Sequence, residues 1–366
     1  MSNKEISKST GAVTKDLVRT IRSNRKTGIP TFVFGAPGVG KSQQVFQAAD
    51  GGKVIDIRLS TLDPVDLRGL PTVNATVDGK EVDWARPDFI PKDGEGIIFF
   101  DELNTAPIAV QNAALQLILD RRIGPHRIPD GWYMVAAGNK ASHRAHVNPM
   151  GAPLRNRFAV VEYVPTVEHW TRWAMANEVH DNIIAFLNFQ NGYLTTEPND
   201  EYANFASPRS WAYMSAFLKA GIDDGESYTQ IIGRGAAVAF SAFQEEINEM
   251  PNIDDLIAGK TKFDHNGKRI SVSYAVAMAL ASRLLNSTDG KKRSDDQLNR
   301  CNEIAASLPS EIAVLYFAYI TNCNDRSLKN RAMQSKVALE WARKHRPLLL
   351  KYGVTFRNGE SDGSNT

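Results

Sequence analysis

The sequence predicts an α/β domain with a parallel sheet, followed by an all-helical region. Three observations carry that reading. Short, nearly continuous apolar runs alternate with helix-like segments between residues 29 and 165. A glycine-rich turn, GAPGVGKS, joins the first of these runs to a helix. After Pro165 the strand patterns stop and only helical periodicity remains.

Residues 1–28 read as a polar lead-in with a short helix around 16–22. The apolar runs are TFVFG (31–35), KVIDIRL (53–59), GIIFF (96–100), WYMVAAG (132–138) and FAVVEYV (158–164). Each is rich in β-branched and aromatic residues, the pattern of strands buried on both faces. Between them, QNAALQLILDRR (111–122) places Ala114, Leu117 and Ile118 on one helical face. Asp78-Gly79, flanked by Thr76, Val77, Val82 and Trp84, reads as a β-hairpin turn. Helical periodicity then covers 166–190, 208–221, 228–248, 272–286, 298–320 and 327–351. Linker-like stretches at 191–208 and 286–297 interrupt it, and the polar end NGESDGSNT is expected to be disordered. The expected division is a lead-in (1–28), an α/β domain (29–165), a helical lid domain (166–290) and a helical C-terminal extension (291–366).

Composition narrows the class of protein. The 366 residues suit two or three domains at roughly 150 residues each. Hydrophobic residues make up 42% and charged residues 23%, a globular balance that excludes wholesale disorder. No run of about 18 apolar residues occurs, so no transmembrane helix is expected. The polar start MSNKEISKST lacks the apolar core of a secretory signal, and two cysteines are too few for a disulfide framework. The expected location is cytoplasmic. A net charge of +2 argues against a protein built mainly to coat nucleic acid.

Four motifs carry chemistry. In GAPGVGKS, the segment Gly35, Ala36, Pro37, Gly38, Val39, Gly40, Lys41 and Ser42 fits the phosphate-binding loop. Its glycines let the backbone curl so that N–H groups face phosphate oxygens, and the helix that follows adds a favourable dipole. Lys41 would reach the β- and γ-phosphates of ATP, and Ser42 would ligate Mg²⁺. A ligand-free strand-to-helix turn is the bland alternative. In IIFFDELN, Asp101 and Glu102 end a buried strand, where open α/β sheets bind ligands. Asp101 can hold Mg²⁺ through water, and Glu102 can polarise an attacking water. Alone, such a pair could simply start a helix. In WYMVAAGN, Asn139 is placed to orient that water or touch the γ-phosphate, against the alternative of a plain Gly-Asn turn. In PLRNRF, Arg155 and Arg157 suit charge on a phosphoryl group, against the alternative of surface arginines at a helix end. Arg209, in SPRSW, is a further candidate at the start of a helix. His143 and His146 lie three apart in a polar loop with no third ligand near in sequence, and Trp170 and Trp173 read as packing residues.

Together these residues resemble the AAA+ ATPases, and more narrowly their MoxR-like branch, over roughly residues 28–215. GAPGVGKS looks like Walker A and IIFFDE like Walker B. Asn139 matches sensor 1, Arg157 the arginine finger and SPR (207–209) sensor 2. DELNTAP followed by QNAALQLILDRRIG is similar to the branch pattern DEINRAP-x-x-x-QNALLE-x-M-E-x-R, with Thr105 where that pattern has Arg. Residues 66–91 resemble the branch's insertion in the second helix. Relatives bearing LRNRF leave the finger open between Arg155 and Arg157. The resemblance implies a sheet ordered 5-1-4-3-2, a helical lid and a ring, usually a hexamer, with ATP between protomers. It also implies chaperone-like remodelling with a partner that carries a von Willebrand factor A domain.

Two other functions stay open at this stage. One is a DNA-directed motor of a restriction or replication system. From 326 to 357 the sequence carries nine Lys or Arg against one acid, Glu340, which could contact phosphates or form a solvated helix face. The other is a scaffold that binds ATP without turnover, against which the intact Asp101/Glu102 pair argues.

Overall fold

The computed structural model describes residues 12–76, 79–140, 148, 152–197, 203–265, 269–285, 294–323 and 325–354. It divides into two compact units, residues 1–165 and 166–366.

The first unit begins with β1 (Ala12–Thr14) and α1 (Leu17–Thr27). The Asp16 side chain caps α1 by accepting from the Arg19 N–H at 2.9 Å, and Leu17 and Ile21 form its buried face. Then come β2 (Thr31–Phe34), α2 (Lys41–Ala48), β3 (Lys53–Arg58) and the short α3 (Pro64–Arg68). A hairpin follows, β4 (Pro71–Thr76) paired antiparallel to β5 (Gly79–Trp84). The hairpin reading is borne out by this pairing; Val77 and Asp78 of its turn lie outside the described residues. The unit continues with β6 (Gly96–Asp101), α4 (Ile108–Asp120), the two-residue strands β7 (Arg122–Ile123) and β8 (His126–Arg127), β9 (Trp132–Gly138), α5 (Ala152–Arg155) and β10 (Ala159–Tyr163).

The main sheet is parallel, in the order β1-β10-β2-β9-β6-β3. Numbering the five anticipated strands by sequence gives 5-1-4-3-2, the implied order. β2, β6 and β9 are buried along their whole length. Their side chains alternate between two clusters, one on each face of the sheet. Phe32, Phe34, Ile98, Phe100, Met134 and Ala136 belong to one cluster. Val33, Ile97, Phe99, Tyr133, Val135 and Ala137 belong to the other. In α4, Ala114, Leu117 and Ile118 face the first cluster, as its periodicity predicts.

Two expectations need correction. The polar lead-in contributes a sixth strand: β1 pairs with β10, Ala12 opposite Val161 and Thr14 opposite Tyr163. Nor is β3 buried on both faces. It is the outer strand of the sheet, and Lys53, Asp56 and Arg58 face solvent. Charges there discourage pairing with another strand.

The second unit is helical throughout its described residues. The expected segments resolve into shorter helices: α6 (Val167–Ala176), α7 (Asp181–Phe189), α8 (Pro208–Lys219), α9 (Gly225–Ile232), α10 (Arg234–Ile247), α11 (Ile253–Ala258), α12 (Ile270–Leu285), α13 (Asp295–Ser307), α14 (Ser310–Asn322), α15 (Arg326–Met333), α16 (Lys336–Lys344) and α17 (Arg346–Lys351). Side-chain caps mark many of the breaks, with Thr166, Ser207, Asp224, Asn252, Ser294, Asp325 and Ser335 each accepting from the first turn of the helix they precede. One hydrophobic cluster runs from Trp170 through Phe186, Trp211, Phe240 and Met278 to Phe317 and Leu349. Phe186 lies 5.3–5.6 Å from the rings of Tyr193, Trp211, Phe240 and Phe243. Trp170 belongs to this cluster and Trp173 packs against it, so both serve packing. Among the described residues, no helix is long and apolar enough to cross a membrane.

Candidate active site

The site lies at the carboxyl ends of β2, β6 and β9, where a parallel sheet opens toward its loops. β2 runs directly into the glycine-rich loop. The Gly35 N–H reaches the Gly138 carbonyl at 3.3 Å, tying the loop's start to the end of β9. Val39 is buried in the same cluster as Val33 and Val45, which anchors the loop's crest in the core. Gly40 precedes α2 with φ 91°, in the left-handed region that glycine alone enters at no steric cost. It offers no side-chain cap, so the first N–H groups of α2 keep their donors for a ligand.

The candidate side chains meet on this platform. Lys41 Nζ donates to the carbonyls of Gly35 at 2.8 Å and Ala36 at 3.1 Å, and to Asn139 Oδ1 at 3.0 Å. Ser42 Oγ donates to Asp101 Oδ2 at 3.1 Å. Thus the first three motifs, far apart in sequence, join through two side-chain hydrogen bonds. Asp101 is 9% exposed, and its Oδ1 accepts from the Glu102 N–H at 2.9 Å. Glu102 sits at φ 58°, a left-handed conformation that a non-glycine residue adopts only where its surroundings hold it. Ser60, in the turn after β3, donates a short hydrogen bond to its carboxylate.

The local field is negative. The Asp56 carboxyl is pushed above its usual range, first by partial burial and then by Asp101 and Glu102, against the pull of Arg58. Two hard oxygen donors, Ser42 Oγ and Asp101 Oδ2, stand together in that field. This donor set fits Mg²⁺, which takes few protein ligands and completes its shell with water and phosphate. Among the described residues, no group of three or more His, Cys, Asp or Glu side chains could hold a metal ion.

Among the described residues, the other candidates make no hydrogen bond to this set. Arg155 ends α5, Arg157 follows two residues later, and both are exposed. Among the described residues neither makes an ion pair. Phe158, next to them, is buried edge-on against Phe32 at 5.5 Å, so the arginines are mounted on a fixed point of the core. Arg209 is exposed in the first turn of α8, in the second unit, behind a reciprocal Ser207–Ser210 cap. His143 and His146 lie outside the described residues. Thr105, the departure from the branch pattern, donates its hydroxyl to the Glu102 carbonyl at 2.8 Å.

Sequence reasoning missed two contributors. Ser60 holds Glu102; its signal was its position just beyond a parallel strand. Asn104 is 4% exposed. Its Nδ2 donates to the Asn139 carbonyl at 2.6 Å, and its Oδ1 accepts from the Asn139 N–H at 3.1 Å. A side chain on Gly138 would bring Cβ within 2.2 Å of that Oδ1, which explains the glycine beside Asn139.

No family model and no curated protein matches this sequence. Among solved structures, the chain is similar to a candidate ATPase from Cytophaga hutchinsonii at 16% identity, covering 94% of this chain and 92% of that one, with TM-score 0.31. It is similar to a RuvB mutant from Thermotoga maritima at 13% identity, covering 80% and 81%, with TM-score 0.37. It is also similar to NtrX from Brucella abortus in complex with ADP at 14% identity, covering 92% and 69%, with TM-score 0.32. The glycine-rich loop leaves the strand between β10 and β9, and acids end β6, the arrangement that the resemblance to the AAA+ ATPases implies.

Proposed function

We propose that this chain is an ATP hydrolase of the MoxR-like branch, acting as a ring, a hexamer, to remodel or activate a partner protein. The observation that supports it most is the pair of contacts Lys41–Asn139 and Ser42–Asp101, which brings these four residues together at one sheet end. The partner expected from the resemblance carries a von Willebrand factor A domain. Residues 166–290 would serve as the lid and 291–366 as an extension of it.

Each residue then has a physical task. The N–H groups of residues 38–42 cradle the phosphates, and Lys41 leaves its carbonyl partners to meet the β- and γ-oxygens. Mg²⁺ held by Ser42 and Asp101 supplies positive charge to those oxygens when bound. Glu102 accepts a proton from the attacking water, with Ser60 fixing its carboxylate beforehand. Asn139 orients that water. Arg157, or Arg155 in its place, meets the γ-phosphate of a neighbouring protomer, and Arg209 takes the part of sensor 2.

Assembly tests this reading. ATP between protomers contacts both neighbours, so it stabilises the ring by mass action. Light scattering should show a shift toward a hexamer when a slowly hydrolysed ATP analogue is added. A strict monomer with and without nucleotide, at high protein concentration, contradicts the ring.

A further inference from the structure

We infer that Asn104 is a positioning residue that sets ATP turnover through Asn139, without setting nucleotide affinity. The inference rests on the hydrolase reading above. Asn104 lies in the turn after β6, the strand that ends in Asp101. That turn is fastened to the end of β9. The Leu103 N–H reaches the Ala137 carbonyl at 2.9 Å, and the Asn104 amide spans both backbone groups of Asn139. Asn148 braces the turn from a third side, its N–H on the Asn104 carbonyl at 2.7 Å and its Nδ2 on the Ala106 carbonyl at 2.9 Å.

The clamp has a specific consequence. Beyond the last residue of β9 the sheet ladder no longer fixes the peptide. Asn104 replaces the ladder for one residue by supplying the acceptor and the donor that a neighbouring strand would supply. The orientation of the Asn139 side chain follows from that peptide, and its Oδ1 meets Lys41 Nζ at 3.0 Å. Asn104 itself is separated from Lys41 by Asn139 and touches none of residues 35–42 by any hydrogen bond among the described residues. It is also buried, so a polar substitute cannot make up the loss with water. Gly138 is the matching negative: any Cβ there would displace the clamp.

Kinetics and exchange together test this. Asn104→Ala should lower kcat roughly 10- to 100-fold, as small misplacements of catalytic groups do, and change the dissociation constant for ATP less than about twofold. In an Asn139→Ala background the same substitution should lower kcat less than about twofold further, because the residue it acts through is gone. Gly138→Ala should reproduce the kcat loss. If Asn104→Ala fails to fold, Asn104→Asp, which keeps the acceptor and loses the donor, carries the same cycle. Full additivity with Asn139→Ala, or an unchanged kcat, overturns the inference. Hydrogen exchange of the peptide spanning 134–140 separates the clamp from the hydrolase reading. Exchange of the Asn139 amide should be slow in the unsubstituted protein and fast in Asn104→Ala. Fast exchange in both overturns the clamp. An unsubstituted protein that shows slow exchange but no turnover overturns the hydrolase reading and the catalytic half of this inference, and leaves the clamp standing.

Discussion

Among the described residues, each unit buries one asparagine amide, and the two do different work. In the α/β unit, Asn104 is 4% exposed and both of its amide atoms go to the backbone of Asn139, in the site. In the helical unit, Asn302 is 1% exposed; its Nδ2 donates to the Ala332 carbonyl and to Ser335 Oγ, each at 2.8 Å, and its Oδ1 accepts from the Tyr316 hydroxyl at 2.9 Å. Asn302 thus joins α13 to α14, to the end of α15 and to the start of α16, four helices of one continuous core. The same chemistry fixes the Asn139 peptide in one unit and joins packed helices in the other. The sheet makes the difference: its strands end together, leaving unpaired backbone and polar side chains at one edge.

If that contrast holds, substitutions at the sheet end should cost turnover and leave stability, and the reverse should hold at the helical joint. The largest effect is expected at Arg157. Arg157→Ala should keep nucleotide binding and lose about 10³-fold in turnover, as arginine fingers do. Mixing it with inactive Glu102→Gln subunits should restore activity at interfaces that pair an intact Glu102 with an intact Arg157. Mixed rings with no recovery, while Arg155→Ala mixtures recover, would move the role to Arg155. A smaller effect of another kind is expected at Asn302. Asn302→Ala strands the buried Tyr316 hydroxyl, so thermal or denaturant unfolding should show a loss of about 1–3 kcal/mol. Turnover per folded molecule should hold. A kcat that falls with no loss of stability would erase the contrast between the two amides.

Much of this was legible in the residues. The central strands β2, β6 and β9 were, because strands buried on both faces must be apolar throughout. The loop 35–42 was, because its glycine spacing has few other uses. β1 was not: three residues, with Val13 exposed, carry no periodicity, and the strand exists only because β10 offers it an edge. The exposure of β3 was hidden for a similar reason, since being outermost depends on strand order rather than on its own residues. Ser60 and Asn104 escaped because their roles are non-local. Asn104 is written beside Glu102, but its partner lies 35 residues on. In the helical unit the periodicity was clear and the breaks were not, although Ser294, Asp325 and Ser335 stood at helix starts as capping residues.

The central claim is that Glu102, held by Ser60 at the end of β6, is the general base of an ATP hydrolase. Phosphate release and ATP binding, measured side by side on the unsubstituted protein and on Glu102→Gln, test it most directly. The account predicts equal ATP affinity and a loss of turnover of roughly 10²- to 10³-fold, the worth of general-base assistance. Hydrolysis by Glu102→Gln at the unsubstituted rate would contradict it.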